Sequence, residues 1–326
     1  MRSMNAWVIE QPGGPEVFQL RELPLPQPEP GQVLIRIEAF GLNRSEYFTR
    51  IGDSPSVLFP RVLGIECAGV VESAPSGRFQ PGQRVFAMMG GLGRQFDGSY
   101  AEYTVVPESI VFPVESKLDW TALGALPEML QTCNGSLHIG LEVVPGETLL
   151  IRGGTSSIGM TTLALAKSLG LRVATTTRDP NKRDLLLERG ANEVYVDDGL
   201  IAERVRAVHP DGVDRVLELI GTTTLLDSLQ CARRGGVVCM TGILGGQWEL
   251  AGFRPMGHIP TGVKLSSYSG GAGDITATEL QKYVSLVESG DLPIYAGPVW
   301  KFAQLREAHT ALDENRANGK MVVVVR

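Results

Sequence analysis

The sequence predicts an α/β protein of two domains, one rich in short strands and one built on a parallel sheet with helices on both faces. Three observations carry this expectation. Up to about Pro113, short apolar runs are punctuated by Pro-Gly pairs. From about Trp120 onward, apolar runs alternate with helix-like runs. Between them in character is the segment Leu149-Leu150-Ile151-Arg152-Gly153-Gly154-Thr155-Ser156-Ser157-Ile158-Gly159, where an apolar strand enters a loop of small residues and then the helix-like run 160–169.

Taken in order, the chain opens on strands and a proline-rich stretch, 23–30, suited to an extended connection. Pro30-Gly31-Gln32, Pro81-Gly82-Gln83 and Pro145-Gly146-Glu147 each carry a type II turn signal, and each launches a strand, at 33–40, 84–88 and 148–152. A further strand reads across 62–72, interrupted by Gly64 and Gly69. After the loop come a strand at 171–176, a helix at 182–189, a strand at 193–196 and a helix at 200–208. Then follow a strand at 213–220 closed by Gly221, a helix at 224–232, and a strand at 237–240 closed by Gly242. This alternation predicts parallel strands whose carboxyl ends face a ligand. A strand at 264–268, helices at 276–289 and 302–316, and a valine-rich strand at 321–325 complete the chain.

The loop carries the clearest chemistry. A strand-to-helix turn of small residues aims backbone N–H groups and the positive end of a helix dipole at one point, which suits a pyrophosphate. Against the dinucleotide pattern G-x-G-x-x-G it keeps the outer glycines, Gly154 and Gly159, with Ser156 in the middle. Ser156, Ser157 and Ile158 are the candidate N–H donors. A carboxylate near the end of the next strand would grip the ribose of NAD. Here that strand ends in threonines followed by Arg178, with Lys182 nearby. Asp179 precedes Pro180 and so reads as a helix N-cap. Thr177, Arg178 and Lys182 therefore outline a 2′-phosphate pocket, favouring NADP(H); the other reading leaves both cations merely solvated.

Composition excludes several classes. With 326 residues, 43% hydrophobic and 20% charged, the chain has room for two ordinary cores. A net charge of −6 without a basic run speaks against nucleic acid as a partner. No apolar run is long enough to span a bilayer, and Met1-Arg2-Ser3-Met4 opens no signal-peptide pattern, so no membrane partner is expected. Cys67, Cys133, Cys231 and Cys239 form no C-x-x-C pair, which points away from disulfides and toward a cytoplasmic location. The four histidines show no pair at ligand spacing and read as surface or cap residues.

Dispersed motifs together resemble the medium-chain dehydrogenase/reductase superfamily over essentially the whole chain. They are Ala39-Phe40-Gly41-Leu42-Asn43-Arg44-Ser45-Glu46, Leu63-Gly64-Ile65-Glu66-Cys67-Ala68-Gly69-Val70-Val71, Gly98-Ser99-Tyr100-Ala101-Glu102-Tyr103 and Leu126-Pro127-Glu128. To these are added the glycine loop, Glu188-Arg189-Gly190-Ala191, and Asn318-Gly319-Lys320-Met321-Val322. Within the superfamily the chain is similar to the zinc-independent, quinone oxidoreductase-like branch. The resemblance implies a GroES-like substrate domain over 1–122 and 264–326 and a Rossmann-type dinucleotide domain over 123–263. It also implies a homodimer joined through edge strands near 242–250.

In zinc-dependent relatives the metal is held at positions matching Asn43, Ile65 and Glu128. An amide, an aliphatic side chain and one carboxylate do not make a zinc site. Rescue by Glu66, Cys67 and Cys133 is the alternative. Without a metal to polarise a carbonyl, a substrate with a conjugated electron sink is favoured. The expected activity is hydride transfer from NADPH to a quinone or an α,β-unsaturated carbonyl. Two alternatives stand beside it: an enoyl-thioester reductase, and an NADPH-binding structural or regulatory protein with little catalysis.

The resemblance places Asn43 near the nicotinamide and substrate, although an asparagine here also suits a turn. Relatives often carry a tyrosine five residues after it, where this chain has Phe48. Tyr47, one residue earlier, faces about 100° away on a helix, so it stands either as a site residue or as a packing aromatic. Thr132, Gly242, Ser267, Tyr268 and Lys320 are implied contacts of the cofactor. Asp197 replaces a tyrosine that some relatives use there. The loop 90–98, rich in glycine, reads as mobile.

Overall fold

The computed structural model describes residues 2–54, 57–316 and 319–326. Met1 and Asn318, which belong to motifs read above, lie outside the described residues. The chain divides into two units. One comprises Met1–Gln131, Gly271–Asp291 and Tyr295–Arg326, and the other Thr132–Gly270 with Leu292–Ile294.

The second unit holds the parallel sheet. Its six strands lie side by side in the order Glu193–Val196, Arg172–Thr177, Thr148–Arg152, Val213–Glu218, Ala232–Met240 and Lys264–Ser267. Every pairing is parallel. In chain order this is 3-2-1-4-5-6, so the direction of travel reverses beside Thr148–Arg152 and leaves a crevice at the carboxyl ends of the strands there. Leu149, Leu150, Ile151, Val216, Leu217 and Val238 are buried on both sides, as a sheet covered on two faces requires.

Two buried charges hold the carboxyl ends of the central strands. Arg152 is fully buried; its Nε and Nη2 donate to Asp197 at 2.9 Å each, and its Nη1 donates to Asp227 at 2.7 Å. Burial by itself would raise the Asp197 carboxyl, but the Arg152 hydrogen bonds and charge hold it below the usual range. Glu218 accepts from the N–H groups of Ile220 and Gly221 and from the hydroxyls of Thr224 and Ser228, which ties the strand end to the following helix.

The first unit is strand-rich. Its largest sheet runs Ala296–Lys301, Lys320–Val324, Gln32–Gly41, Glu66–Ser73, Arg84–Met88 and Val111–Pro113, with Tyr103–Pro107 also paired to Gln32–Gly41. A second sheet joins Gln19–Pro24, Ser3–Ile9 and Arg61–Val62. The C-terminal strand pairs antiparallel with Gln32–Gly41, placing Val322 opposite Gly41 and burying Val322 and Val323 completely. Each such valine contributes about 1.5–3 kcal/mol, enough to hold the strand in register.

Several expectations are corrected. The strand read across 62–72 is two strands in two sheets, Arg61–Val62 and Glu66–Ser73. Gly64 breaks it at φ +102, where a Cβ would sit 2.3 Å from Ser99 Oγ. The helix expected at 160–169 begins a turn earlier, at Ser157–Ser168, because the Ser156 hydroxyl caps it. The last helix, expected at 302–316, is a short 3-10 turn, Phe302–Gln304, followed by Leu305–Asp313. Residues 242–250 form no strand within the chain, and the edge of the sheet on that side is Lys264–Ser267. The loop 90–98 is pinned rather than loose. Cβ atoms at Gly93 and Gly98 would lie 2.6 and 2.4 Å from Gly64 O, and Leu92 is buried. His309 is fully buried, not a surface or cap residue; its Nε2 lies 3.1 Å from Tyr100 Oη and its ring packs on Phe18. All four cysteines are free and buried. No described helix is long and apolar enough to cross a membrane.

Removing the Arg152 charge leaves two nearly buried carboxylates uncompensated. Arg152→Met is expected to cost about 3–5 kcal/mol, on the order of 10 °C in melting temperature, by calorimetry.

Candidate functional site

In the second unit the loop has the geometry of an anion cradle. Gly153 turns the chain at φ +94, and its N–H donates to Thr176 Oγ1 at 3.0 Å. The Gly154 N–H donates to Thr176 O at 3.1 Å, so the loop is fastened to the neighbouring strand. A Cβ on Gly154 would lie 1.9 Å from Thr175 Oγ1, and one on Gly159 would lie 2.4 Å from Gly153 O. Only glycine lets these backbones approach so closely.

Ser156 works within the loop. Its hydroxyl accepts from Gly159 N–H at 3.0 Å and donates to Gly153 O at 2.8 Å, while its own N–H donates to Gly153 O at 3.1 Å. Its N–H is therefore engaged, contrary to the expectation that it faces a pyrophosphate. Ser157 and Ile158 open a 12-residue helix and have no helical carbonyl ahead of them to bond. Those two N–H groups and the helix dipole make the loop fit for a pyrophosphate.

At the end of the next strand, Thr177 is almost fully buried, and its hydroxyl both accepts from Asp179 N–H and donates to Asp179 O. Asp179 Oδ1 accepts from Asn181 N–H at 3.0 Å with Pro180 in first position, the cap read from the sequence. Arg178 is exposed and makes no hydrogen bond or ion pair among the described residues. Lys182 closes the short turn Pro180–Lys182 and is half-buried. Asp197, bound to Arg152, is committed to the sheet.

Farther along the strand ends, a Cβ on Gly242 would lie 2.4 Å from Leu219 O, so this glycine serves backbone packing. Ser267 is exposed at the end of the strand Lys264–Ser267. Tyr268 is buried beneath Gly135, where a Cβ would lie 1.9 Å from its Oη. Thr132, on the helix Pro127–Gly135, is nearly buried.

In the first unit, Asn43, Glu46, Glu66, Glu128 and Lys320 form one buried cluster. Asn43 caps the helix Arg44–Ile51 and its N–H donates to Glu46 Oε2 at 2.9 Å. Its Nδ2 donates to Glu66 Oε1 at 2.9 Å. Glu46 Oε1 accepts from Ile65 N–H at 3.0 Å, and Glu66 Oε2 accepts from Glu128 N–H at 2.7 Å. Lys320 Nζ lies 2.7 Å from Glu66 Oε1 and 3.1 Å from Glu128 Oε2, and donates to Asn43 Oδ1. Lys320 is thus held by side chains of its own unit, where the sequence pointed to a cofactor contact. Burial pushes Glu46 up to about 7 and raises Glu66, while Lys320 stays charged because Glu66 and Glu128 outweigh its desolvation.

Tyr47 lies outside this cluster. Its ring sits beneath the guanidinium groups of Arg44 and Arg50, 5.1 and 5.6 Å from the centroid, and edge-on to Phe48. That is the surrounding of a packing aromatic.

Sequence reasoning missed Glu46, Arg152 and Glu218. The signals were available in part: N-x-x-E at Asn43–Glu46 is a capping-box pattern, and Arg152 is a lone charge ending an apolar strand, whereas Glu218 shares its strand with Asp214 and Arg215 and does not stand out.

Residues 29–116 match the family described as alcohol dehydrogenase GroES-like domain, and residues 189–323 match zinc-binding dehydrogenase. The chain is 28% identical to the quinone oxidoreductase of Sus scrofa, with 99% of this chain and 98% of that protein covered. It is 32% identical to the trans-enoyl reductase tndF of Aspergillus flavipes over 65% of each chain. A mycobacterial structure complexed with NADPH superposes with a TM-score of 0.86 at 26% identity, covering 99% of this chain and 100% of that one.

Glu46 binds its proton more tightly folded than at its ordinary value of 4.5. Its contribution is therefore fully present below that value and is lost as pH rises through about 7. Buried His309, pushed far below 6.5, acts in the opposite sense, so the difference between two proteins is the useful readout. The melting-temperature advantage of wild type over Glu46→Gln is expected to shrink between pH 5 and 8, by roughly 2–3 kcal/mol in stability.

Proposed function

The chain belongs to the medium-chain dehydrogenase/reductase superfamily, in its quinone oxidoreductase-like branch, and is an oxidoreductase; from this we propose that it is an NADPH-dependent, zinc-independent reductase of quinones or α,β-unsaturated carbonyls. The observation that carries this reading is the pairing of an anion-binding loop with an unpartnered Arg178 beside an Asp179 locked into a cap. A carboxylate that is capping its own turn does not grip a ribose, and an unpaired guanidinium suits a 2′-phosphate. The NADPH complex of the mycobacterial relative supports the same coenzyme.

In this reading Ser157 and Ile158 N–H groups bind the pyrophosphate, and Thr177, Arg178 and Lys182 bind the adenosine end. Thr132, Gly242, Ser267 and Tyr268 line the nicotinamide end. NADPH, when bound, supplies the hydride. A conjugated acceptor takes the electrons into its own carbonyl, so no Lewis acid is required, and water supplies the proton. Asn43 contributes through a side-chain amide whose oxygen and nitrogen are both fixed by the buried cluster. The working form is a homodimer in the cytoplasm. The likeness to a trans-enoyl reductase favours a second reading, in which the conjugated acceptor is an enoyl thioester.

A panel of quinones, small enones and a crotonyl thioester tests both readings by NADPH consumption. Turnover of the first two groups supports the first reading, and turnover of the thioester alone supports the second. NADPH binding without turnover of any acceptor would overturn both. Arg178→Ala is expected to raise KM for NADPH about tenfold or more, with kcat and the KM for NADH little changed.

A further inference from the structure

One matched family is described as zinc-binding, and the donors present here do not fit that metal. Of the positions that resemble zinc ligands, Ile65 has no donor side chain, and Asn43 and Glu128 both face an ammonium. Among the described residues no cluster of three or more His, Cys, Asp or Glu is arranged to hold a metal.

We propose that the Lys320 ammonium is the resident cation of this cluster, filling the place a metal would take and fixing the orientation of the Asn43 amide. An ammonium has three N–H donors, and Lys320 has three acceptors: Glu66 Oε1 at 2.7 Å, Glu128 Oε2 at 3.1 Å, and Asn43 Oδ1. With its oxygen drawn to Nζ, the Asn43 amide must turn its nitrogen toward Glu66, as observed at 2.9 Å. The backbone is shaped for this lysine. A Cβ on Gly41, opposite Val322, would lie 2.3 Å from Glu66 Oε1 and 2.5 Å from Lys320 Cε, so a side chain there would push this ion pair out of its present place. A divalent ion placed among the same oxygens would stand about 2.0–2.2 Å from each and be repelled by the ammonium. Lys320 is thus a positioning residue acting through Asn43, and the inference rests on the metal-free part of the function proposed above.

The test uses the full chain and needs no turnover, so its failure and the failure of the NADPH reading are distinguishable. Wild type, Lys320→Ala and Lys320→Met are melted with and without Mn²⁺ or Zn²⁺, and elemental analysis follows dialysis. Wild type is expected to retain no stoichiometric metal and to melt unchanged. Both variants are expected to lose about 5–10 °C. Lys320→Ala, which empties the space and frees three oxygens, is expected to regain at least half of that loss with Mn²⁺. Lys320→Met, which fills the space, is not. Folding of Lys320→Ala only when Mn²⁺ is present counts as the same result. Stoichiometric metal in wild type overturns the proposal, and that arm stands even if Lys320→Ala never folds. A folded Lys320→Ala whose melting ignores every ion also overturns it.

Discussion

An ammonium group cannot be buried without its counter-charges, and much of the strand-rich unit is arranged to meet that demand. Lys320 sits at the start of the C-terminal strand, which is held against Gln32–Gly41 by fully buried valines. That register decides where the charge lands. The carboxylates that receive it come from the strand Glu66–Ser73 and the helix Pro127–Gly135, and the amide comes from the cap of Arg44–Ile51. Four distant segments are thereby tied to one atom. Two carboxylates and one ammonium with complete hydrogen bonding are tolerable inside a protein; any one of them alone would not be.

The parallel-sheet unit solves a similar problem at its strand ends. Arg152 and Glu218 terminate neighbouring strands, where apolar side chains would leave loop N–H groups and helix starts without partners. Arg152 instead binds two aspartates, and Glu218 binds two backbone N–H groups and two hydroxyls. Both charges hold the loops that follow them. The Ser157 and Ile158 N–H groups at the start of the helix have no helical carbonyl to bond, while the other polar groups of the glycine loop are satisfied by Ser156 and Thr176.

Much of the fold was legible locally. Turn glycines, alternating helix and strand, and the strand–loop–helix junction are short-range signals, and the parallel pairing of the sheet and the Asp179 cap followed from them. Where reading failed, the cause was distance along the chain. Gly64 looked like an interruption within one strand, but the close approach of Ser99 made it the point where the chain leaves one sheet for another. His309 read as a surface or cap residue because no second histidine stands at ligand spacing from it, yet it packs against Phe18 and Tyr100 from far along the chain.

The candidate site divides along the same line. The sequence by itself determined the strand–glycine loop–helix junction, the cation following the second strand and the capping aspartate, since each depends on neighbours within a few residues. At the positions that resemble zinc ligands it holds an amide, an aliphatic side chain and a carboxylate, Asn43, Ile65 and Glu128. Only the tertiary structure decided that Lys320 is enclosed by Glu66, Glu128 and Asn43, because those groups come from three stretches of chain far from its own. A charge in a sequence carries no mark of its partner, and burial energies depend on the partner.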